Sequence, residues 1–291
     1  MLLDLPVIES PKPRSPRPEW LKVRVPSGEN YSRLTNIMRD NGPHTVCEEA
    51  RCPNVAECWN SGTATFMILG DTCTRSCGFC AVKTGRPTTL DTDEPNRVAE
   101  ATRLMNLRHV VITSVNRDEL FDGGAGVFAK TIEAVRAMNP NTRIEVLIPD
   151  FKARDESLRL IFDAKPDILN HNTETVPSMY RMVRPQAKYI WSLGVLQKAK
   201  SEGFVTKTGI MLGLGESREE LVRVMADLVE IKVDILTLGQ YLQPTQHHLP
   251  VARFLHPDEF AELREIGMEM GFRNVESGPL VRSSYHAADH I

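Results

Sequence analysis

The sequence predicts an α/β protein, an incomplete barrel of six strand–helix units, (β/α)6. Two observations carry this expectation. Short apolar runs alternate with segments of helical period at spacings of roughly 30 residues. Polar residues gather just after the apolar runs: Asp71, Asn116 to Asp118, Asn172 with Glu174, Gly213 with Gly215, and Gln240. The alternation forces parallel strands joined by helical crossovers, as an open doubly wound sheet or a barrel. In a barrel those polar positions share one mouth, whereas in an open sheet they scatter along an edge. Six units fall short of the eight of a closed barrel.

The elements follow in order. Residues 1–30 read as an extended arm, because six prolines forbid a regular helix. Within it, Lys12 to Arg24 is a basic stretch, either a solvated arm or a docking strip for an acidic partner. "YSRLTNIMRD" is a short helix stopped by Asn41-Gly42-Pro43. "FMILG" is a buried strand and "DEPNRVAEATRLMNL" a helix; "HVVITSV" and "GVFAKTIEAVRAMN" repeat the pair. "RIEVLIPD" with "DESLRLIFDA", and "DILNHNTET" with "WSLGVLQKAKSEG", continue it. "VTKTGIMLGLG" precedes "SREELVRVMADLVEI", whose Ser217 and Glu220 form a capping box. "VDILTLGQY" with "PDEFAELREIGMEMG" completes the sixth unit, and "RNVESGP" offers a last strand. The expected divisions are residues 1–65, 66–272 and 273–291.

A composition of 41% hydrophobic and 25% charged residues is ordinary for a globular protein. The net charge of −3 argues against a strongly basic nucleic-acid binder. No apolar run approaches the ~20 residues needed to span a bilayer. The N-terminus lacks a basic start and apolar core, so the expected location is cytoplasmic. Thiols there are reduced, which favours metal binding or catalysis over disulfides.

All six cysteines fall in two triplets, Cys47-x4-Cys52-x5-Cys58 and Cys73-x3-Cys77-x2-Cys80. The second directly follows the first strand of the barrel, where a short loop can wrap three thiolates round one corner of a metal cluster. Structural zinc prefers four ligands, and no histidine completes the set locally. A [4Fe–4S] cluster on three cysteines leaves one iron open for chemistry.

Cys73, Cys77 and Cys80 before a βα barrel, with aromatic Phe79 between the last two, resemble the radical S-adenosylmethionine superfamily. The upstream triplet narrows the resemblance to the lipoyl synthase family. So do "PSGENY", "SVNRDELFDGGA", "HNTET", "GIMLGLGE" and "RSSYHA", across nearly the whole chain. The resemblance implies a radical S-adenosylmethionine barrel with N- and C-terminal extensions and two [4Fe–4S] clusters. On the first, S-adenosylmethionine is split to a 5′-deoxyadenosyl radical. The second, on Cys47, Cys52, Cys58 and Ser283, is implied to yield the sulfur, with Ser284 as the fallback ligand. Adjacent side chains on an extended segment point opposite ways, so only one of the two serines should reach an iron. The implied reaction inserts two sulfurs into an octanoyl chain on a lysine of a lipoyl carrier domain. A small redox protein is the implied electron donor.

Asn172 and Glu174, two apart, share one face of the expected strand; the resemblance gives them contacts to the cofactor, and the alternative is a pair of satisfied core polar groups. Gly213 and Gly215 would let backbone approach its methionine end, or form a plain turn. "DGGAG", Asp122 to Gly126, is a turn or an anion cradle. Arg117 and Arg184 are candidates for binding a carboxylate. Asp118 and Glu119 are expected to cap or pair locally, His171 to be structural, and His247 and His248 to be exposed or part of a substrate loop. The rival readings are a biotin synthase-like sulfur-inserting enzyme, a non-catalytic iron–sulfur electron carrier, and a zinc-stabilised binding protein.

Overall fold

In a computed structural model that describes residues 16–22, 44–45 and 54–289, the core is one eight-stranded sheet. The arm outside 16–22, the helix expected over "YSRLTNIMRD", and Cys47 and Cys52 lie outside the described residues. An edge strand β1 (His44–Thr45) pairs antiparallel with β2 (Thr63–Ile68). A two-stranded pair, β3 (Thr72–Cys73) and β4 (Lys83–Thr84), brackets the cysteine loop. The parallel sheet continues through β5 (His109–Ser114), β6 (Arg143–Leu147), β7 (Ile168–Asn170), β8 (Val205–Leu212), β9 (Ile235–Gln240) and β10 (Asn274–Gly278).

Strand order follows chain order from β2 to β10. A doubly wound sheet reverses direction at a switch point; this sheet never does. With right-handed crossovers, unreversed order is the winding of a barrel. "RNVESGP" is indeed a strand, so seven parallel strands stand where the six units were expected, the seventh followed among the described residues only by a 3-10 turn, Ala287–Asp289.

The helices are α1 (Val55–Asn60), α2 (Glu94–Leu104), α3 (Ala125–Met138), α4 (Asp155–Asp163), α5 (Tyr180–Val183), α6 (Tyr189–Ser201), α7 (Arg218–Glu230) and α8 (Pro257–Met270). The Ser217–Glu220 capping box starts α7 as expected. Sequence patterning missed α1 and α5, which are too short to show a period.

Alternation splits the strands into two faces. Val110, Ile112, Ile144, Val146, Ile210, Leu212, Leu236 and Leu238 pack with the helices in two apolar clusters. The alternate positions carry His109, Glu145, Asn170 and Lys207, all fully buried. Near the start of the strands these four form one network. Glu145 Oε1 lies 3.1 Å from Lys207 Nζ, accepts from Asn170 Nδ2 at 2.8 Å, and Oε2 is 3.3 Å from His109 Nε2. Burial alone would raise the Glu145 carboxyl; Lys207 and His109 reverse this and hold it at about 2. The network floors the concave face with a paired charge.

The strand expected over "DILNHNTET" ends at Asn170. Glu174 takes a left-handed φ of +66°, which an extended ladder cannot carry, and meets β8 only through an isolated bridge to Ile210.

Candidate functional site

The site lies past the carboxyl ends of the strands. Cys73 ends β3 and is buried; Cys77 and Cys80 follow in a loop and are partly exposed. None of the three is in a disulfide. The Cys73 sulfur accepts the backbone N–H of Arg75 at 3.4 Å and of Asn116 at 3.2 Å. Burial first, and then the neighbouring thiols and Glu174, push Cys77 up to about 12 against the opposing pull of Arg184. Burial raises Cys80 as well. Raised in this way, Cys77 and Cys80 favour the protonated thiol, and a metal binding there would have to expel those protons.

Among the described residues no three His, Cys, Asp or Glu side chains form a site for a single metal ion. Three thiols within eight residues could hold a [4Fe–4S] cluster, which takes each thiolate on a separate iron. Near these strand ends Asn172 Oδ1 and Arg184 Nε are buried without a hydrogen-bond partner, polar atoms that a ligand could satisfy.

Two segments pin the loop from outside. Gly78 N–H donates to Val183 O at 2.9 Å, while Leu249 N–H donates to Gly78 O at 2.9 Å. A Cβ at Gly78 would lie 2.8 Å from Leu249. His248 Nε2 sits 2.9 Å from the Cys80 carbonyl. The exposed or substrate-loop role expected for the histidine pair is met in part: His247 is exposed, but His248 braces the cysteine loop.

Asn172 and Glu174 meet, though beyond the end of β7 and not on one face of the expected strand: Asn172 Nδ2 donates to Glu174 Oε1 at 3.1 Å. The same nitrogen donates to Ser283 Oγ at 2.8 Å. Burial raises the Glu174 carboxyl, with Arg184 opposing. Arg184 is buried and donates to the carbonyls of Asn172, at 2.8 Å, and Thr173. Phe79 packs against the apolar cluster of the second half of the barrel. Gly213 (φ +92°) and Gly215 (φ +125°) adopt conformations that favour glycine. Their N–H groups, with that of Leu214, all donate to the Glu216 carboxylate, which is the geometry of the plain turn. Asp122 likewise accepts from Gly124 and Gly126, so "DGGAG" is a turn that starts α3.

His171 is structural. Its Nδ1 is 2.8 Å from Ile148 O and its Nε2 3.0 Å from Ser192 Oγ. Burial, then Arg184, lowers it to about 4 from 6.5. The unfolded chain therefore takes up this proton first on acidification. Stability is full above about pH 6.5 and is lost as pH falls toward 4, by up to roughly 3 kcal/mol. Urea midpoints at pH 7 and pH 5 should show this drop, and His171→Gln should remove this part of it; an unchanged drop in that variant refutes the assignment.

Arg117 donates to Leu69 O and Thr89 O and pairs with Glu119, a loop-stitching role rather than carboxylate capture. Asp118, expected to pair locally, instead binds Arg75 from 43 residues away. Arg75 is the residue that the sequence did not single out. It is buried and fully bonded to Asp118 and Asp150. Burial opposes its charge, but bonds to both aspartates outweigh this and raise it. Asp150 opens a turn in which Phe151, Lys152 and Ala153 all have positive φ. Each such non-glycine residue costs about 1–2 kcal/mol. The Asp150 side chain accepts from Lys152 N–H at 2.9 Å within that turn.

Of the first triplet, only Cys58 is described; it is buried in α1. The C-terminal segment reaches this helix. Asn54 Nδ2 donates to Leu280 O at 2.8 Å, and Tyr285 and His286 contact Glu57. That segment also seats on β9, where a Cβ on Gly239 would lie 2.2 Å from Val281 O. Gly239→Ala is expected to dislodge it, at a cost of about 1–3 kcal/mol. Thermal melts and faster proteolysis near the C-terminus would report this; an unchanged cleavage pattern would count against the seating.

Comparison with known proteins follows the same outline. Residues 67–228 match the family model of the radical SAM superfamily, and residues 7–52 match that of the N-terminal domain of lipoyl synthase. Lipoyl synthase of Rubrobacter xylanophilus is 62% identical over 276 residues, 94% of this chain and 86% of its own. The mitochondrial lipoyl synthase of Nematostella vectensis is 54% identical and covers 96% of each chain. Among solved structures, methylornithine synthase superposes with a TM-score of 0.56 at 13% identity, over 87% of this chain and 79% of that one. Streptococcus suis SuiB bound to its precursor peptide gives 0.60 at 9% identity, over 85% and 52%. At such identities the structural likeness speaks for the fold alone.

Proposed function

This chain belongs to the lipoyl synthase family of radical S-adenosylmethionine enzymes, and from that membership we propose how its own side chains divide the work. The reaction inserts two sulfur atoms into an octanoyl chain carried on a lysine of a carrier protein. Removing hydrogen from such a chain is beyond acid–base catalysis, since no side chain is basic enough. The radical cluster, with S-adenosylmethionine, supplies the carbon-centred radical that does it.

In our reading Cys73, Cys77 and Cys80 hold that cluster. Asn172 Oδ1, Glu174 and Arg184 face the cofactor, and Phe79 shields the loop from water. Gly213 and Gly215 shape the turn beneath it, since a side chain on Gly213 would strike Gln240 and the Arg253 carbonyl. Cys47, Cys52, Cys58 and Ser283 hold a second cluster, the sulfur source. An alkoxide matches soft iron less well than thiolate, so the Ser283 corner is the one to open. A small redox protein supplies electrons. No helix among the described residues is long and apolar enough to cross a membrane.

One observation carries this arrangement. A single nitrogen, Asn172 Nδ2, bonds both Glu174, whose charge acts on Cys77, and Ser283 of the C-terminal segment. This supports a reading in which Ser283 and the cysteine loop serve one mouth.

The test is mass spectrometry of an octanoyl-lysine peptide after anaerobic incubation with reconstituted protein, S-adenosylmethionine and a reductant. A gain of two sulfurs is expected. Ser283→Ala should lower that yield far more than Ser284→Ala; equal effects would remove Ser283 from the ligand set. Turnover of a small free molecule instead of the peptide would favour the biotin synthase-like alternative.

A further inference from the structure

Building on the cluster assignment above, we propose that Arg75, clamped between Asp118 and Asp150, is a positioning residue for the radical cluster. It fixes the backbone N–H groups of Arg75 and Asn116 against the Cys73 sulfur.

The clamp is a complete fork. Arg75 Nε and Nη2 donate to the two Asp118 oxygens at 2.7 and 3.0 Å, and Nη1 and Nη2 to the two Asp150 oxygens at 2.8 and 2.7 Å. The Arg75 side chain is 2% exposed and that of Asp150 0%. Lys152 Nζ, 3.6 Å from Asp118, balances the remaining charge. Asp118 lies in the loop after β5 and Asp150 in the loop after β6. Arg75 thus ties the cysteine loop to the next two strand ends.

The tie converges on one sulfur. Arg75 N–H is one donor to Cys73 Sγ, and Asn116 N–H, two residues before Asp118, is the other. Thr74 completes the frame. Its N–H donates to Asn116 O at 3.0 Å, and its Oγ1 accepts from Asp118 N–H at 3.0 Å. Hydrogen bonds to cluster sulfurs tune reduction potential. The strained turn after Asp150 supports the same end, because it turns the Asp150 carboxylate onto Arg75. Lysine has charge but no planar fork, so it cannot span both carboxylates.

The test uses the full chain, reconstituted anaerobically, with Arg75→Lys and Asp118→Glu. Both substitutions conserve charge, so a change in potential reports geometry. The readouts are iron content, melting temperature, and the midpoint potential and electron paramagnetic resonance spectrum of the reduced component that responds to S-adenosylmethionine. Iron content should hold in both variants. The potential should move negative as the N–H···S bonds loosen, the spectrum should change, and S-adenosylmethionine cleavage should fall about 10–100-fold. If both variants melt lower but keep the native potential and spectrum, the trio is only a structural staple and the proposal is overturned. Should Arg75→Lys fail to fold, Asp118→Glu decides alone, because Asp118 is one-fifth exposed and has room to adjust. A native chain with no cofactor-responsive cluster overturns the underlying assignment instead.

Discussion

Cys77→Ala is expected to strip about four irons from each chain and to reduce S-adenosylmethionine cleavage to background, while the fold persists. The side chain sits in a loop outside the main sheet and is only partly buried, so its loss removes little packing. Its role is chemical. Burial holds the thiol near 12, a state in which it neither ligates nor reacts at neutral pH. Iron must displace that proton, so loading should also become easier as pH rises. Iron analysis and product quantification on the same preparation make the check. A variant that kept full iron and full cleavage would place the cluster elsewhere.

Lys207→Met is expected to cost about 3–5 kcal/mol, because it strands the Glu145 carboxylate in the barrel interior. Both side chains are fully buried, and Lys207 is the cation nearest that carboxylate. Asn170 and His109 remain as partners but do not replace a full positive charge. For a chain of this size the loss corresponds to a fall in melting temperature of roughly 10 °C. Lys207→Met combined with Glu145→Gln should recover more than half of it, since the stranded charge is gone. Calorimetry on the single and double variants decides; a single-variant loss below about 1 kcal/mol would mean water reaches the network.

The parts of this protein legible in its sequence are those written in short range. Period-2 and period-3.6 patterns located the strands and long helices. The steady alternation of units left an open sheet or a barrel, the polar residues after the strands favoured the barrel, and the strand order runs without reversal. The cysteine loop was visible because its three thiols fall within eight residues. What escaped notice depends on long separations. Arg75 reads as an ordinary loop charge until Asp150, 75 residues away, is brought to it. His248 acquires meaning only through Cys80, 168 residues distant. The turn at Phe151 to Ala153 has no glycine to announce its handedness, so only its surroundings impose it. Ser283 was singled out by family resemblance alone; spacing and composition say nothing about it.

The contact between Asn54 and Leu280 spans 226 residues. At about 5–20 residues per second on the ribosome, roughly 11–45 s separate the synthesis of its two sides. The barrel strands emerge in the order in which they pair, so they can assemble as they appear. The contact beside Cys58 cannot form until Leu280 has been made. The cysteine loop after β2 gains its brace from Leu249 about 30 residues before Leu280 completes the contact with Asn54.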